Sequence, residues 1–130
     1  LLYQIAQSSS GIVVGTGNKV EDFGVGFYTK YGDGGVDISP IADLMKSEVR
    51  ILARDLNVIN SIIKAKPTDG LWDDDRTDED QLGLSYEQLE DAMINENSVY
   101  REKYLEIRSK NIHKMNPIPI CSIEDKIKNS

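Results

Sequence analysis

Leu1, Leu2, Ile5 and Ala6 share one helical face, so the chain opens inside a helical period that is expected to run to about Gln7. With no initiator Met before it, that opening gives the expectation of a fragment, the C-terminal portion of a single domain over residues 1–130. A polar turn, Ser8-Ser9-Ser10-Gly11, leads into Ile12-Val13-Val14, an apolar run expected as a buried strand over 11–15. Val36-Asp37-Ile38 is a weaker strand signal, and one or two strands do not make an independently stable sheet. Ser39 at an N-cap and Pro40 at the first helical position then predict a long helix ending at Asn57. Its apolar positions Ile41, Leu44, Met45, Val49, Leu52, Ala53 and Leu56 recur at spacings of three and four and are expected to face the core.

A shorter helix is expected over 60–65, stopped by Pro67. Over 68–83 the apolar period disappears, and the stretch reads as an exposed, mobile acidic loop, with a lid over bound nucleotide as the next reading and a cation site in the acidic run Asp73 to Asp80 as the third. Ser85 and Gln88 form a capping-box pair opening a helix to about Asn95. A last helix over 98–111 carries Val99, Tyr100, Tyr104 and Ile107. His113 and Lys114 follow it, ahead of Pro117-Ile118-Pro119, which cannot be helical.

Most of the chain's 10 glycines crowd into residues 15–46. Glycine loses conformational entropy on folding and adds nothing to a core, so such a bare segment is expected to be shaped around a ligand or a series of turns. The net charge of −7 comes mostly from six acids and one Arg between Asp73 and Asp80, so the acidity is local and leaves a phosphate site open. No basic stripe interleaved with aromatics is present, which argues against nucleic acid. No run approaches membrane-spanning length, no leader is recognisable, and Cys121 is the one cysteine. A cytoplasmic setting without an internal disulfide is expected.

Two partial motifs are weak. Asn18-Lys19-Val20-Glu21 imitates a guanine-reading NKxD but ends in Glu and has no phosphate loop upstream. Gly34-Gly35-Val36-Asp37-Ile38-Ser39 imitates the SGGxDS pyrophosphate loop, yet follows a polar, turn-like stretch where a buried strand belongs. Better chemistry gathers near the first strand. Thr16 lies at its carboxyl end, where ligands bind in open α/β sheets. Glu21 could hold a hard cation or simply favour a helix N-terminus. Lys30 and Lys46 flank the glycines, either to neutralise phosphate or to extend into solvent.

The run Gly15-Thr16-Gly17-Asn18-Lys19-x-Glu21, followed by Gly26-Phe27-Tyr28-Thr29-Lys30-Tyr31-Gly32-Asp33-Gly34-Gly35-Val36-Asp37-Ile38-Ser39-Pro40-Ile41-x-Asp43-Leu44-x-Lys46, resembles NAD synthetase. The likeness continues through Lys66-Pro67-Thr68, Thr77-Asp78-Glu79-Asp80-x-Leu82-Gly83-x-Ser85-Tyr86 and His113-Lys114, covering nearly the whole chain. It implies an α/β fold, part of a Rossmann-like three-layer architecture with a parallel sheet flanked by helices, mostly helical here. The implied activity is amidation of deamido-NAD to NAD: ATP adenylates the nicotinate carboxylate with loss of pyrophosphate, and ammonia, free or glutamine-derived, then displaces AMP.

By motif position Thr16, Lys46 and Thr68 resemble the ATP contacts and Glu21 the Mg²⁺ ligand. Lys30, Asp37, His113 and Lys114 resemble the groups on deamido-NAD. Lys46 and Asp37 are the implied catalytic residues, Lys46 on phosphate and Asp37 orienting or deprotonating ammonium. The resemblance further implies a homodimer.

Two departures stand out. Asp69-Gly70-Leu71-Trp72 replaces the family's Ala-Asp-Leu after Thr68, and the family's SGGxDS loop is absent, so these residues alone are expected to be inactive. The alternatives are a non-catalytic assembly or dimerisation module, and another amide-forming ATP pyrophosphatase of the GMP synthetase type.

Overall fold

The computed structural model describes residues 1–71, 73–74 and 76–123. Helix α1 (Leu2–Ser8) is closed by the Gly11 N–H, which donates to the Ala6 carbonyl at 2.7 Å. The two strand signals meet. Gly15 N–H donates to Ile38 O at 2.7 Å and Asp37 N–H to Val13 O at 2.9 Å, making a parallel bridge between Val14 and Ile38. Among the described residues this bridge is all the β structure, so the strand expected over 11–15 shrinks to it. Short strands need further neighbours to extend the ladder, and Ile12, Val14 and Ile38 remain 59%, 51% and 46% exposed.

The segment that the glycines hinted at holds a π-helix (Lys19–Val25), which the pattern did not anticipate. The Asn18 side chain caps it, accepting from the N–H groups of Val20 at 3.0 Å and Glu21 at 3.2 Å, and Gly26 ends it in the left-handed region at φ 67°. The NKxE imitation is thus a cap. Val20 and Val25 are fully buried, packed with Tyr86, Leu89 and Tyr104 from two later helices and with Leu84 just ahead of the first of them. Each such side chain contributes roughly 1.5–3 kcal/mol by leaving water.

Helix α2 (Lys46–Asp55) starts later than Ser39 and Pro40 predict. The Leu44 carbonyl, which would continue a helix from Pro40, instead accepts from Lys19 N–H at 2.9 Å. Met45 is extended, and its N–H donates to the Glu48 side chain at 2.7 Å, so a new start is capped there. Of the expected core face Met45 packs against the core, but no α2 residue is buried, and Leu52 and Leu56 are 39% and 68% exposed. Helix α3 (Asn60–Ile63) follows.

Inside the stretch expected as a mobile loop, helix α4 (Asp78–Leu82) forms, with Asp78 and Leu82 buried. Thr77 caps it, its hydroxyl accepting from Asp80 N–H at 3.1 Å while Asp80 accepts from Thr77 N–H at 2.9 Å. Five residues are too few for a visible apolar period, and the cap is hidden in the acidic run. The loop and lid readings at Trp72 and Asp75 lie outside the described residues.

Helix α5 (Tyr86–Ile94) opens on the expected Ser85–Gln88 box. Helix α6 (Arg101–Met115) runs past its expected end, so His113 and Lys114 occupy its last turn. It braces the π-helix: Arg108 donates to the carbonyls of Phe23 and Gly24, and Lys114 to those of Gly26 at 2.9 Å and Tyr28 at 2.8 Å. Among the described residues no helix is long and apolar enough to cross a membrane.

Candidate active site

The Lys19–Leu44 backbone bond draws the start of α2 against the start of the π-helix, and so brings Lys46 to Glu21. Lys46 Nζ lies 2.8 Å from Glu21 Oε1, with the two side chains only 22% and 17% exposed. Tyr86, at the first position of α5, donates its hydroxyl to the same oxygen at 2.5 Å and sits with its ring centroid 4.8 Å from the Lys46 ammonium. The other Glu21 oxygen accepts from Asn18 N–H at 3.4 Å. One Glu21 oxygen closes the helix cap, as its helix-start reading expects, and the other faces the Lys46 ammonium.

The electrostatics follow from this packing. Burial alone would raise the Glu21 carboxyl, but hydrogen bonds from Lys46 and Tyr86 outweigh it and hold the group below its ordinary value. Burial and then the Glu21 charge push the Tyr86 phenol far upward, so it remains a donor throughout the working pH range. The same hydroxyl reaches Asp78 Oδ2 at 3.0 Å, and burial raises the Asp78 carboxyl.

Thr16, Glu21, Lys46, Thr68, Asp69 and Asp78 line a common cavity of about 320 Å³. The four residues expected to serve ATP and Mg²⁺, which come from separate segments, thus meet. Asp78 N–H donates to Pro67 O at 3.1 Å, which ties Thr68 to the beginning of α4. The Thr68 hydroxyl donates to Arg76 O at 3.1 Å and accepts from Gly70 N–H at 3.2 Å, so the divergent Asp69-Gly70 sequence makes a tight turn there.

A second cavity of about 540 Å³ adjoins the first through Phe27, Asp33 and Asp69, and Tyr28, Thr29 and Lys114 line it further. Lys114 is the one residue expected on deamido-NAD that reaches it. Lys30 instead donates to the carbonyls of His113 at 2.8 Å and Asn116 at 3.3 Å, closing the end of α6. His113 is exposed. Asp37 accepts from Val13 N–H at 2.8 Å and from the Tyr3 hydroxyl at 3.5 Å, and lines neither cavity.

Asp78 and Tyr86 are site members that sequence reasoning assigned no individual role, Asp78 entering only through the cation-site reading of the run Asp73 to Asp80. A Tyr directly after an N-cap Ser, and an Asp directly after an N-cap Thr, are visible signals. Only their convergence on Glu21 makes them functional candidates.

Asp22, next to Glu21, is pushed up to about 6 by burial and by the charges of Glu21 and Asp33. Its carboxylate fills the space over Gly17, where an added Cβ would meet Asp22 Oδ2 at 2.1 Å. An acid whose folded value is raised costs stability as pH climbs from its unfolded value to its folded one. Asp22→Asn is therefore expected to raise the melting temperature by an amount that grows from about pH 4 to about 6 and stays constant above; thermal unfolding across that range checks it.

A family model described as NAD synthase matches residues 1–127. The chain belongs to the NAD synthase family. It is 46% identical over 121 residues to the NH(3)-dependent NAD(+) synthetase of Thermoplasma volcanium, covering 88% of this chain and 49% of that protein. It is 50% identical over 93 residues to the enzyme of the same name from Picrophilus torridus, covering 72% and 36%. Among solved structures it resembles the NMN synthetase from Francisella tularensis, with a TM-score of 0.83 and 32% identity over 94% of this chain and 51% of that one. The NH3-dependent NAD synthetase from Campylobacter jejuni, in complex with nitrate, gives a TM-score of 0.64 and 27% identity over 93% and 49%. This NAD synthase chain spans about half the length of the curated relatives it matches.

Proposed function

We propose that the polypeptide carrying this chain amidates deamido-NAD to NAD at the expense of ATP. The observation that supports this best is the meeting of Thr16, Glu21, Lys46 and Thr68 at one cavity that opens beside a larger one. The nicotinate carboxylate attacks the α-phosphorus of ATP, forming the acyl adenylate and releasing pyrophosphate; ammonia then attacks the acyl carbon, AMP leaves, and the nitrogen sheds a proton. Lys46 offsets phosphate charge, and the hydroxyls of Thr16 and Thr68 orient the nucleotide. Lys114 and Tyr28 hold the dinucleotide in the adjoining cavity. Lys30, Asp37 and His113 act less directly, Lys30 by tying the end of α6 and Asp37 by holding the strand pair.

Mg²⁺ fits this donor set. Glu21 supplies hard carboxylate oxygen, and Asp78 Oδ1 is a buried oxygen with no hydrogen-bond partner among the described residues. When bound, the cation screens the triphosphate and stabilises the leaving pyrophosphate.

The reading also assigns the Val14–Ile38 bridge to a parallel sheet in a Rossmann-like three-layer fold, in which further strands cover Ile12, Val14 and Ile38, and it keeps the homodimer implied by the resemblance. A second reading, amidation of nicotinate mononucleotide, draws on the likeness to the Francisella protein. Supplying ATP and Mg²⁺ with either nucleotide, and ammonia or glutamine, separates the two. NAD, AMP and pyrophosphate are expected in equal amounts from deamido-NAD and ammonia. Turnover of the mononucleotide alone would replace the dinucleotide reading.

A further inference from the structure

Asp78 is only 8% exposed, and its Oδ1 is, among the described residues, a buried side-chain oxygen with no hydrogen-bond partner. A buried carboxylate oxygen left unpaired is costly, and native folds keep such groups where something else satisfies them. The other acids of the two cavities differ. Asp33 accepts from Thr29 N–H at 2.7 Å, and Asp69 accepts from Leu71 N–H at 3.0 Å and from the Gln81 side chain at 3.2 Å. Both are exposed, so water serves their spare lone pairs.

The position of Asp78 is built from three sides. Its own N–H is tied to Pro67 O at 3.1 Å, and its Oδ2 contacts the Tyr86 hydroxyl at 3.0 Å. That hydroxyl has one hydrogen, and its shorter contact, 2.5 Å, is to Glu21 Oε1. Two carboxylates thus share a single phenol and border one cavity, while among the described residues Lys46 is the one ammonium lining it. Lys46 offsets one of the two negative charges. A neutral ligand hydroxyl on Asp78 would leave the other uncompensated in a partly desolvated place that must also admit a polyphosphate.

We propose that Asp78 is a second carboxylate ligand for a divalent cation at this site, and that Tyr86 is the positioning residue that holds it beside Glu21. The proposal rests on reading the cavity as a nucleotide–cation site. One or two protein carboxylates, with phosphate oxygens and water completing the shell, is the usual way a protein holds Mg²⁺. Glu21 and Asp78 make two. Tyr86, whose hydroxyl lies 2.5 Å from Glu21 Oε1 and 3.0 Å from Asp78 Oδ2, does for both carboxylates what an outer partner does for a metal ligand, restricting their rotation.

The test is titration of Mn²⁺ into the polypeptide carrying this chain, with ATP present, followed by calorimetry and by water-proton relaxation. Tyr86→Phe is expected to weaken Mn²⁺ binding about tenfold, the scale typical of losing an orienting partner. Asp78→Asn is expected to weaken it by more, and to unfold at the same temperature or higher, because the unpaired charge is gone. Unchanged Mn²⁺ affinity in folded Asp78→Asn overturns the proposal. Asp78→Ser removes the same carboxylate and decides the matter where the Asn variant does not fold. Because Mn²⁺ binding is read without turnover, a negative titration alongside intact NAD formation rejects the ligand and leaves the reaction. NAD formation absent with Asp78-dependent Mn²⁺ binding rejects the reaction and leaves the ligand.

Discussion

Lys46→Met is expected to slow ATP–pyrophosphate exchange by about 10²–10³-fold, the scale seen when one preorganised charge-stabilising donor is removed from a reaction centre. Lys46 is positioned by several contacts at once. Its ammonium is 2.8 Å from Glu21 Oε1 and stacks over the Tyr86 ring, and the side chain is 22% exposed, so it starts near its working position and loses little freedom when phosphate binds. Lys46→Arg is expected to recover only part of the rate, because a planar fork does not reproduce a compact ammonium between a carboxylate and a ring face. Equal exchange rates in Lys46→Met and the parent protein would remove Lys46 from the reaction.

The same substitution changes the response to acid. In the parent protein Glu21 is held below its ordinary value, so it contributes stability above its unfolded value that is lost as pH falls through the folded one. Without Lys46 the hydrogen bond that opposed burial is gone, and this acid-sensitive contribution shrinks. Unfolding midpoints of Lys46→Met should therefore fall less than those of the parent as pH drops below about 4.5, the ordinary Glu value.

Gly26→Ala is expected to destabilise the fold by about 2–5 kcal/mol, read from the urea midpoint. Two costs coincide. The residue lies at φ 67°, where an L side chain costs about 1–2 kcal/mol, and an added Cβ would stand 2.7 Å from Asn111 Cβ on α6, an overpacking typically worth about 1–3 kcal/mol. Neither neighbour can yield easily, since the π-helix is held to α6 by Arg108 and Lys114 through backbone carbonyls on both sides of this glycine. Gly70→Ala separates the terms: its φ is 64°, yet nothing lies within 4 Å of an added Cβ, so only the backbone cost of about 1–2 kcal/mol should appear. Equal losses at Gly26 and Gly70 would show that the contact with α6 carries no weight.

These two positions show how much of the site was legible. The resemblance pointed to Thr16, Glu21, Lys46 and Thr68 from their order along the chain, and they do line one cavity. The capping box at Ser85 and the non-helical backbone at Pro117 were legible because caps and breakers act over three or four residues, whereas the end of α6 was placed four residues early at Asn111. The start of α2 was misplaced at Pro40 because the competing partner, Lys19 N–H on Leu44 O, lies far away in sequence. Helix α4 was missed for a related reason: its apolar anchor is the single residue Leu82, and Asp78 is buried by partners on other elements.

Short-range rules, then, determined from sequence alone the helical character of the chain, the Ser85 cap, and the residue types able to handle phosphate and a cation. Tertiary structure decided which of them work together. Burial of Val20, Val25 and Tyr86 sets the π-helix against α5 and α6, and that packing, with backbone bonds from Lys19 and Asp78, carries four distant segments to one cavity. A hydrogen bond between residues 65 positions apart, Tyr86 to Glu21, has no signature in local pattern, because its geometry exists only after the hydrophobic core has closed.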